Sequence, residues 1–534
     1  MDKITPTSLR LVLPLLFLYL LITLLALSHH ELALEEAQFF LFGRDSDSLS
    51  SLYHNMQYEG HPRLWCSLLF LIYHHITTAI AGMQALHLLV TTATVFLFLR
   101  YAPFSVLHKV LVIGGYYFLF EYDILSRNYA LGILFLFICC MLLRDPRKNL
   151  FWIGGMLVLL CNTHLFFSFG AIGIFVYLLF EYGRAGKILS PSFLGFTILA
   201  AAGVLSALVQ ARISAPDYIL PARPEEWLSA KNRSAAYYAL IRGWLPIPKV
   251  EGGNFWNSFW LDDHNIGWVL RDGLFVFFLV LPVLILKKYE PALLFYGVSL
   301  AVLLTFFIVH PISAARYFGI GFVFFLAACW IADPGSGDFL SLKHLADMPV
   351  VRRGLRGAIY ALLVLQVLVG VYALQQDFSR PFSQAKNAVS YIRAQGLDRQ
   401  EIVVDGYIAG PALSVYLGKK IFYLDIGQKG SYCIWIRSNF PHPALTLEQE
   451  MMRTDLLRGM DRFILVSNRR VDTTGSYEGG TATTGVDTTG SRMGDFRFVP
   501  LGDFPNSITS MENSYLYQVT RKTGGHPLAR ILRL

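Results

Sequence analysis

The first 374 residues of this chain contain a series of apolar runs, each close to the length of a membrane helix. A bilayer is crossed by about 20 mostly apolar residues in a helix. One longer stretch, Leu150–Phe180, is interrupted at Asn162–His164, and we expect it to form an out-and-back pair. The sequence therefore predicts an α-helical polytopic membrane protein with about eleven transmembrane helices, formed by this pair and nine further runs: Leu9–Ser28, Met83–Leu99, Phe104–Phe120, Tyr129–Leu143, Pro191–Val209, Asp272–Leu286, Pro291–Val309, Arg316–Ile331 and Gly357–Leu374.

Composition agrees with this prediction. Of the 534 residues, 54% are hydrophobic and 15% are charged, whereas an average soluble domain has roughly 25% charged residues. An ordinary cytosolic enzyme and a disordered protein are both excluded on these grounds. The net charge of +8 fits basic cytoplasmic loops better than nucleic acid, so we expect no nucleic-acid partner. Four of the six cysteines lie in apolar runs and are expected to be small core residues: Cys139, Cys140, Cys161 and Cys329.

Lysine and arginine in the short loops predict the orientation. With the N-terminus in the cytoplasm, fifteen basic residues fall in short inner segments and four in short outer segments, as the positive-inside rule requires. This holds if the apolar stretch Trp65–Ala79, broken by His74 and His75, lies at the outer face; a span there would invert every later loop. The predicted outer parts are then loops 28–82 and 210–271 and everything after Leu374, which leaves residues 1–374 as the transmembrane domain.

The tail, residues 375–534, is long enough to form its own core. Strand-like segments at 401–405, 420–425, 462–467 and 515–520 alternate with helical or apolar ones at 383–395, 411–417 and 445–458. This alternation predicts an extracytoplasmic α/β domain. A Thr/Gly-rich insertion at 471–491, which contains VDTTGS twice, cannot bury a core, and we expect it to be a surface loop without chemistry.

An acidic pair marks the first outer loop. Glu35 and Glu36 are adjacent on a predicted helical stretch, where their side chains point about 100° apart. One carboxylate could therefore face a cavity while the other binds neighbouring groups. A partly buried carboxylate beside a like charge suits a general base. The simpler alternative is a solvated helix face.

A second set of polar residues lies at the predicted outer ends of several spans. Guanidinium groups match phosphate geometry in forked pairs, so two arginines from different helices could bind a phosphate or diphosphate head group. For either arginine alone, snorkelling or an ion pair is the simpler explanation. The set comprises Glu121, Asp123, Arg127, His164, His310, Arg316 and Tyr317.

Metal and nucleotide motifs are weak. The DxD at Asp45–Asp47 and the run Asp262–His264 could ligate a divalent cation, but helix capping or solvation explains both. The sequence contains no HExxH or Walker A motif, and a nucleotide-driven pump is not indicated. We expect no metal site and no cofactor, and a divalent cation is not favoured.

Five short motifs resemble the GT-C superfamily of glycosyltransferases, which use polyprenyl-phosphate sugars. They are EEA at 35–37, YEGHPRLW at 58–65, SRNYAL at 126–131, NTHLFF at 162–167 and ARYFG at 315–319. The closest likeness is to the bacterial branch of protein O-mannosyltransferases, aminoarabinose transferases and core galacturonosyltransferases. The resemblance covers about residues 9–374 and implies a membrane glycosyltransferase that transfers a hexosyl or pentosyl group to an acceptor hydroxyl with inversion.

The resemblance also implies roles for individual residues. Glu35 stands where the family has an Asp proposed as the general base, and Glu36 follows it; this departure from Asp-Glu shifts the carboxylate by about one methylene. Arg63 replaces the family's usual second proline. The family's motifs match Arg127 and Tyr129, and Arg316 and Tyr317, as contacts of the donor phosphate. The remaining predicted cavity residues are His61, Glu121, Asp123, His164 and His310.

Resemblance and orientation together imply a multi-pass protein of the bacterial inner membrane that acts at its outer face. Its partners would be the lipid-linked donor, the bilayer and an acceptor glycan, lipid or protein. The tryptophans of loop 210–271, namely Trp227, Trp244, Trp256 and Trp260, could stack on sugars or anchor the interface. Two alternatives remain: a transporter or flippase of a charged or lipid-linked substrate, and an inactive envelope scaffold, which the Glu-for-Asp change would suit.

Overall fold

A computed structural model describes most of the chain. The described residues are 6–212, 229–250, 254–262, 267–310, 314–332, 348–439, 447–472, 476–477 and 496–522. Trp227, Asp263 and His264, and most of the insertion at 471–491, lie outside them. The helices, in chain order, are α1 (Leu9–His29), α2 (Leu34–Arg44), α3 (Leu49–Asn55), α4 (Leu64–His75), α5 (Ile80–Tyr101), α6 (Val106–Ile113), α7 (Asn128–Leu142), α8 (Pro146–Cys161), α9 (Leu165–Arg184), α10 (Pro191–Ala211), α11 (Ala230–Trp244), α12 (Gly267–Leu286), α13 (Glu290–Val309), α14 (Ala315–Ala332), α15 (Pro349–Ser379), α16 (Ala385–Ala394), α17 (Gly410–Leu417), α18 (Leu447–Arg453) and α19 (Asp455–Arg458).

The chain divides into two compact units. The helical unit contains residues 1–30, 46–213 and 220–379, and the sheet unit contains residues 31–45 and everything from Arg380 onward. Helix α2, which carries the acidic pair, is therefore part of the sheet unit, although its position in the sequence is between α1 and α3.

Eight described helices of the helical unit are long and apolar enough to cross a membrane: α1, α5, α9, α10, α12, α13, α14 and α15. In lipid a helix satisfies its own backbone hydrogen bonds, which is why such runs become helices. The chain is thus a multi-pass membrane protein. The other three predicted spans, at 104–120, 129–143 and the first half of the interrupted stretch, correspond to shorter helical segments, and their crossing remains a prediction. Helix α4, which covers most of the predicted outer-face stretch, has 12 residues and is therefore about 18 Å long.

Helix α14 is the most enclosed of the eight, with 83% of its apolar window buried, against 28% for α1, α10 and α12. Residues at the beginning of α14 therefore lie among other protein side chains rather than lipid. Glycines allow close helix contacts, as is common in membrane proteins: a Cβ added at Gly173 of α9 would lie 2.7 Å from the Phe295 carbonyl oxygen of α13.

The break at Asn162–His164 separates α8 from α9, as the sequence predicts. Asn162 is the C-cap residue of α8, and its side chain contacts Ser206 and Gln210 of α10. His164 is the N-cap residue of α9: its Nδ1 accepts the backbone N–H of Phe166 at 3.2 Å. A polar break thus satisfies backbone groups that would otherwise be exposed at the two helix ends.

The sheet unit contains a mixed six-stranded sheet in the order β3-β2-β1-β4-β6-β5. The central strand β1 is parallel to β2 and β4, whereas the outer pairs are antiparallel. The buried core on one face includes Val403, Phe463, Leu465 and Val519, with Met451 of α18 packed against them. The strands are β1 (Ile402–Asp405), β2 (Ile421–Tyr423), β3 (Gln428–Gly430), β4 (Arg462–Ser467), β5 (Phe496–Phe504) and β6 (Ser514–Arg521).

Four strands, β1, β2, β4 and β6, coincide with the strand-like segments of the sequence, and the two edge strands were missed. Strand β3 has three residues, two of them exposed, and shows no apolar alternation. Strand β5 contains Pro500 and Gly502 at a register shift; proline is tolerated on an edge strand but removes the sequence pattern of a strand.

Candidate functional site: a buried cluster of hydrogen-bond donors

The predicted phosphate-binding arginines lie in the helical unit and are both buried. Arg127 is the N-cap residue of α7 and is 4% exposed, and Arg316, near the beginning of the enclosed helix α14, is 7% exposed. Each guanidinium is close to an aromatic ring: Arg127 Cζ is 5.2 Å from the Tyr129 ring centroid, and Arg316 Cζ is 4.4 Å from that of Tyr317. Cationic groups over aromatic faces are stabilised by the ring quadrupole.

The two tyrosines connect these groups to the break between α8 and α9. The ring centroids of Tyr129 and Tyr317 are 6.4 Å apart, and that of His164 is 4.6 Å from Tyr129. Tyr129 Oη lies 3.1 Å from His164 Nε2. Arg316 Nη2 donates to Tyr317 Oη at 3.1 Å. The structure thus brings together five residues that the sequence distributes over three motifs: Arg127, Tyr129, His164, Arg316 and Tyr317, which we call the donor cluster.

His61 extends the donor cluster. Its ring centroid is 4.9 Å from that of His164, and its Nδ1 donates to the Glu59 carbonyl oxygen at 2.6 Å. Burial lowers the pKa of His164 well below its usual 6.5, and the positive charges of His61, Arg127 and Arg316 lower it further. His164 is therefore neutral at physiological pH.

Glu121 is the acid associated with the donor cluster. It ends a π-helical turn, Tyr117–Glu121, a wider turn that is often found at functional sites. Its Oε2 accepts from the Tyr116 hydroxyl at 2.6 Å and from the Trp256 indole N–H at 3.1 Å. The Arg316 guanidinium is 5.7 Å from the Trp256 ring, and Glu121 lies in electrostatic range of both arginines. Sequence reasoning missed Tyr116 and assigned Trp256 to sugar stacking or anchoring.

Asp123 and His310 lie outside this arrangement. The Asp123 carboxylate accepts from the hydroxyls of Tyr19 and Thr23 in α1, and it lines a small cavity beside α1 and α5. His310 follows α13 and packs on Phe306, with ring centroids 4.9 Å apart. Asp123 thus connects α1 to the rest of the helical unit, and its carboxylate has a structural role there.

The acidic pair lies in the sheet unit at the beginning of α2. Glu36 is 1% exposed, and its Oε2 is 3.5 Å from the Ala33 backbone N–H, whereas Glu35 is partly exposed. The backbone N–H of Leu34 donates to Glu512 Oε1 at 2.8 Å. A third carboxyl group, which no sequence pattern connects with the pair, therefore caps this helix.

Helix α2 is held in the sheet unit by specific hydrogen bonds. Gln38 exchanges two of them, each 2.8 Å long, with the backbone of Cys433. Arg44 forms a two-pronged ion pair with Asp45 and donates to both the carbonyl and the hydroxyl oxygen of Ser414. Asp45 of the DxD motif is thus paired with Arg44.

Three carboxylates of the sheet unit could hold a divalent cation, a grouping that the sequence did not predict. Asp405 ends β1, Asp425 follows β2 and Glu450 is in α18; one oxygen from each lies within 4.8 Å of the others. Asp405 also accepts hydrogen bonds from Ser467 and Tyr477. Burial, and after it the negative charges of Asp405 and Glu450, raise the pKa of Asp425 to about 7.

No protein-family model matches this chain, and no curated protein sequence matches it. Its chemistry must therefore be inferred from the site itself. In the donor cluster, two guanidinium groups and two tyrosine hydroxyls surround a neutral histidine. Such a set offers hydrogen-bond donors and positive charge, which is the environment that an anionic oxygen group requires.

Proposed function

We propose that the chain is a membrane glycosyltransferase of the GT-C type. In this proposal it transfers a hexosyl or pentosyl group from a polyprenyl-phosphate donor to an acceptor hydroxyl on a glycan, lipid or protein. The protein would act at the outer face of the bacterial inner membrane, with its N-terminus in the cytoplasm and its sheet unit outside. No metal or other cofactor is required by this mechanism.

The observation that carries the proposal is the donor cluster. Arg127 and Arg316 are buried in a multi-pass helical unit, in electrostatic range of Glu121, and ionisable groups in such a place often mark a substrate site. A lipid phosphate supplies negative charge at membrane depth, and guanidinium and tyrosine donors match its oxygens. Arg127, Arg316, Tyr129 and Tyr317 are assigned to the donor phosphate in this proposal.

The acidic pair is assigned to acceptor activation. Glu35 is the partly exposed member, and Glu36 is engaged with the backbone at the helix beginning. Glu35 would take the proton of the acceptor hydroxyl as that oxygen attacks the anomeric carbon and the C–O bond to the phosphate breaks. The phosphate leaves as an anion stabilised by the arginines, so one carboxylate base suffices.

Transfer and phosphate binding can be tested separately in protein reconstituted into nanodiscs. With an extract of host membranes that supplies both the lipid-linked sugar and the acceptor, Glu35→Gln and Glu36→Gln should reduce release of polyprenyl phosphate, measured by mass spectrometry, by about 10²-fold or more. Asp47→Asn, an exposed acid of the same segment, is the matched control. Wild-type release by both glutamine variants would exclude the acidic pair as the base.

Phosphate binding is measured with farnesyl phosphate as the probe. Arg127→Gln and Arg316→Gln should each weaken its binding about tenfold or more, because each variant loses charge-assisted hydrogen bonds. Arg184→Gln is the control, since Arg184 forms an exposed ion pair with Glu290. Binding that is unchanged in both cluster variants would contradict the proposed donor site.

A further inference from the structure

Three basic side chains of the helical unit come together where α1 and α6 begin and where α5 and α7 end. Lys109 is in the first turn of α6, Arg100 is in the last turn of α5, and Arg144 follows the end of α7 by two residues. Both arginines are in electrostatic range of the Lys109 ammonium. We call these three residues the basic cluster.

Lys109 is a charged side chain in an enclosed position, since only 1% of the residue is exposed. Its Nζ donates to Thr7 Oγ1 and to the Leu99 carbonyl oxygen, each at 2.8 Å. An ammonium group has three N–H donors, so one of them has no acceptor in the described part of the chain. Lysine is almost never fully buried unless it is paired with an opposite charge. Lys109 therefore lacks the counter-charge that a buried lysine ordinarily has.

The two arginines add positive charge and have no acid partner either. Arg100 donates to the Thr7 carbonyl oxygen, and Arg144 donates to that of Tyr101. Arg144 Nε is buried and has no hydrogen-bond partner among the residues that the structure describes. Asp145, the next residue, pairs with a different basic side chain at 3.2 Å. Within the described ranges, no carboxylate forms an ion pair with any member of the basic cluster.

We propose that the basic cluster binds the phosphate group of an anionic phospholipid. Phosphate oxygens accept several charge-assisted hydrogen bonds at once. One phosphate therefore offers acceptors for the remaining donors of Lys109 and Arg144 and a negative charge for all three cations. The site is separate from the proposed transfer reaction and requires no sugar donor.

The surroundings of Lys109 favour a lipid over a soluble anion. Val106, Leu107 and Val110 of α6 have exposed side chains, as does Leu9 at the beginning of α1. In a multi-pass helical unit such apolar surface is suited to acyl chains, and a phospholipid carries its phosphate beside them. In the predicted orientation these helix ends face the cytoplasm, where anionic lipids attract basic segments. A phospholipid thus matches both the charged and the apolar part of this surface.

The first test compares ligands on the full-length protein in detergent, with occupancy measured by native mass spectrometry. The ligands are dioleoylphosphatidylglycerol, dioleoylphosphatidylcholine with the same acyl chains, and inorganic phosphate. Phosphatidylcholine carries a positive choline group, so it should bind about tenfold or more weakly than phosphatidylglycerol. Equal binding of the two lipids would overturn the preference for an anionic lipid. Inorganic phosphate that binds as tightly as phosphatidylglycerol would overturn the assignment to a lipid.

The second test locates the site with phosphatidylglycerol as the probe. Lys109→Gln and Arg144→Gln should each weaken its binding about tenfold or more, because each variant loses a charge-assisted hydrogen bond. Arg144→Lys keeps the positive charge and should retain part of the affinity. Lys187→Gln is the matched control, since Lys187 is exposed and falls in a predicted inner segment. Unchanged binding in Arg144→Gln, or an equal loss in Lys187→Gln, would overturn the site.

A folding control separates lipid binding from the contacts that the basic cluster makes within the protein. Lys109 also holds Thr7 and Leu99, so its replacement can destabilise the chain without any effect on a ligand. Arg144 is only half-buried, and its glutamine variant is therefore the decisive one. Circular dichroism of each variant without added lipid gives its folded fraction. Loss of phosphatidylglycerol binding only in variants with a reduced folded fraction would overturn the proposal.

Discussion

Glu512 is a single residue whose ionisation should control the stability of the sheet unit. It is 3% exposed and caps α2 through the Leu34 N–H. Burial, together with the negative charges of Glu35 and Glu36, raises the pKa of its carboxyl from the usual 4.5 to about 8, although the hydrogen bond from Leu34 lowers it. The folded chain thus retains a proton that the unfolded chain releases. The resulting stability is fully present below pH 4.5 and is lost as pH rises to about 8.

Replacing Glu512 should remove this pH dependence. Glu512→Gln keeps an acceptor for Leu34 but cannot ionise, so the variant should resemble the wild type near pH 5 and be more stable at pH 8.5 by about 2 kcal/mol or more. Thermal unfolding of the full-length protein at both pH values measures the difference. Asp398→Asn, at an exposed site, is the control. Equal stabilities of wild type and Glu512→Gln at pH 8.5 would contradict the assignment.

Among the individual residues of the site, some could be predicted from the sequence and others could not. Arg127, His164 and Arg316 stand out because polar groups in apolar runs are rare. Tyr116 and Glu512 do not stand out, since a tyrosine next to an apolar run and a glutamate in a polar tail are ordinary. Only the contacts with Glu121 and with α2 distinguish them, and these contacts depend on the folded chain.

At the scale of elements, α2 should depend on Gln38 for its attachment. Gln38→Ala removes two hydrogen bonds and leaves the amide and carbonyl of Cys433 without them, at a cost of about 1–3 kcal/mol. Hydrogen exchange should increase in residues 34–44 and change little in the β-sheet core. Gln428→Ala, on the exposed edge strand β3, is the matched control, and equal exchange in both variants would argue against this anchor.

The contact between α9 and α13 supplies a second prediction for elements. Gly173→Ala would force a Cβ against Ser299 and the Phe295 carbonyl, and overpacking of this kind costs about 1–3 kcal/mol. Gly297 in α13 has open space around its Cα, so Gly297→Ala should be neutral or stabilising by up to about 1 kcal/mol. Thermal unfolding in detergent compares the two, and the prediction is wrong if they shift alike.

The positions of helices could largely be predicted where the sequence contains long apolar runs. The eight long helices and the polar break at Asn162–His164 follow from hydropathy alone, because lipid permits few alternatives to a helix. The sequence predicts one span at Phe104–Phe120, and the structure has there α6 and a separate π-helical turn that ends at Glu121. Residue composition does not distinguish such a turn from an α-helix, so the sequence cannot predict it.

At the scale of the whole molecule, the orientation in the membrane remains a prediction that can be measured directly. All six native cysteines are buried, so a new surface cysteine should dominate labelling. In intact cells, a membrane-impermeant maleimide should modify Ser390→Cys of the sheet unit and should modify Lys148→Cys only after permeabilisation. Both positions are exposed. The reverse pattern would invert the topology and remove the sheet unit from the outer face.

The membership of α2 in the sheet unit has a consequence for biosynthesis. Its hydrogen-bond partners Ser414, Cys433 and Glu512 follow the α2 residues that they contact by 370, 395 and 478 residues. Contacts of such long sequence separation form slowly, and the ribosome must add 478 residues after Leu34 before the last of them can exist. The acidic helix is therefore made early and completed last, so that its carboxylates reach their final surroundings only when synthesis of the bundle is over.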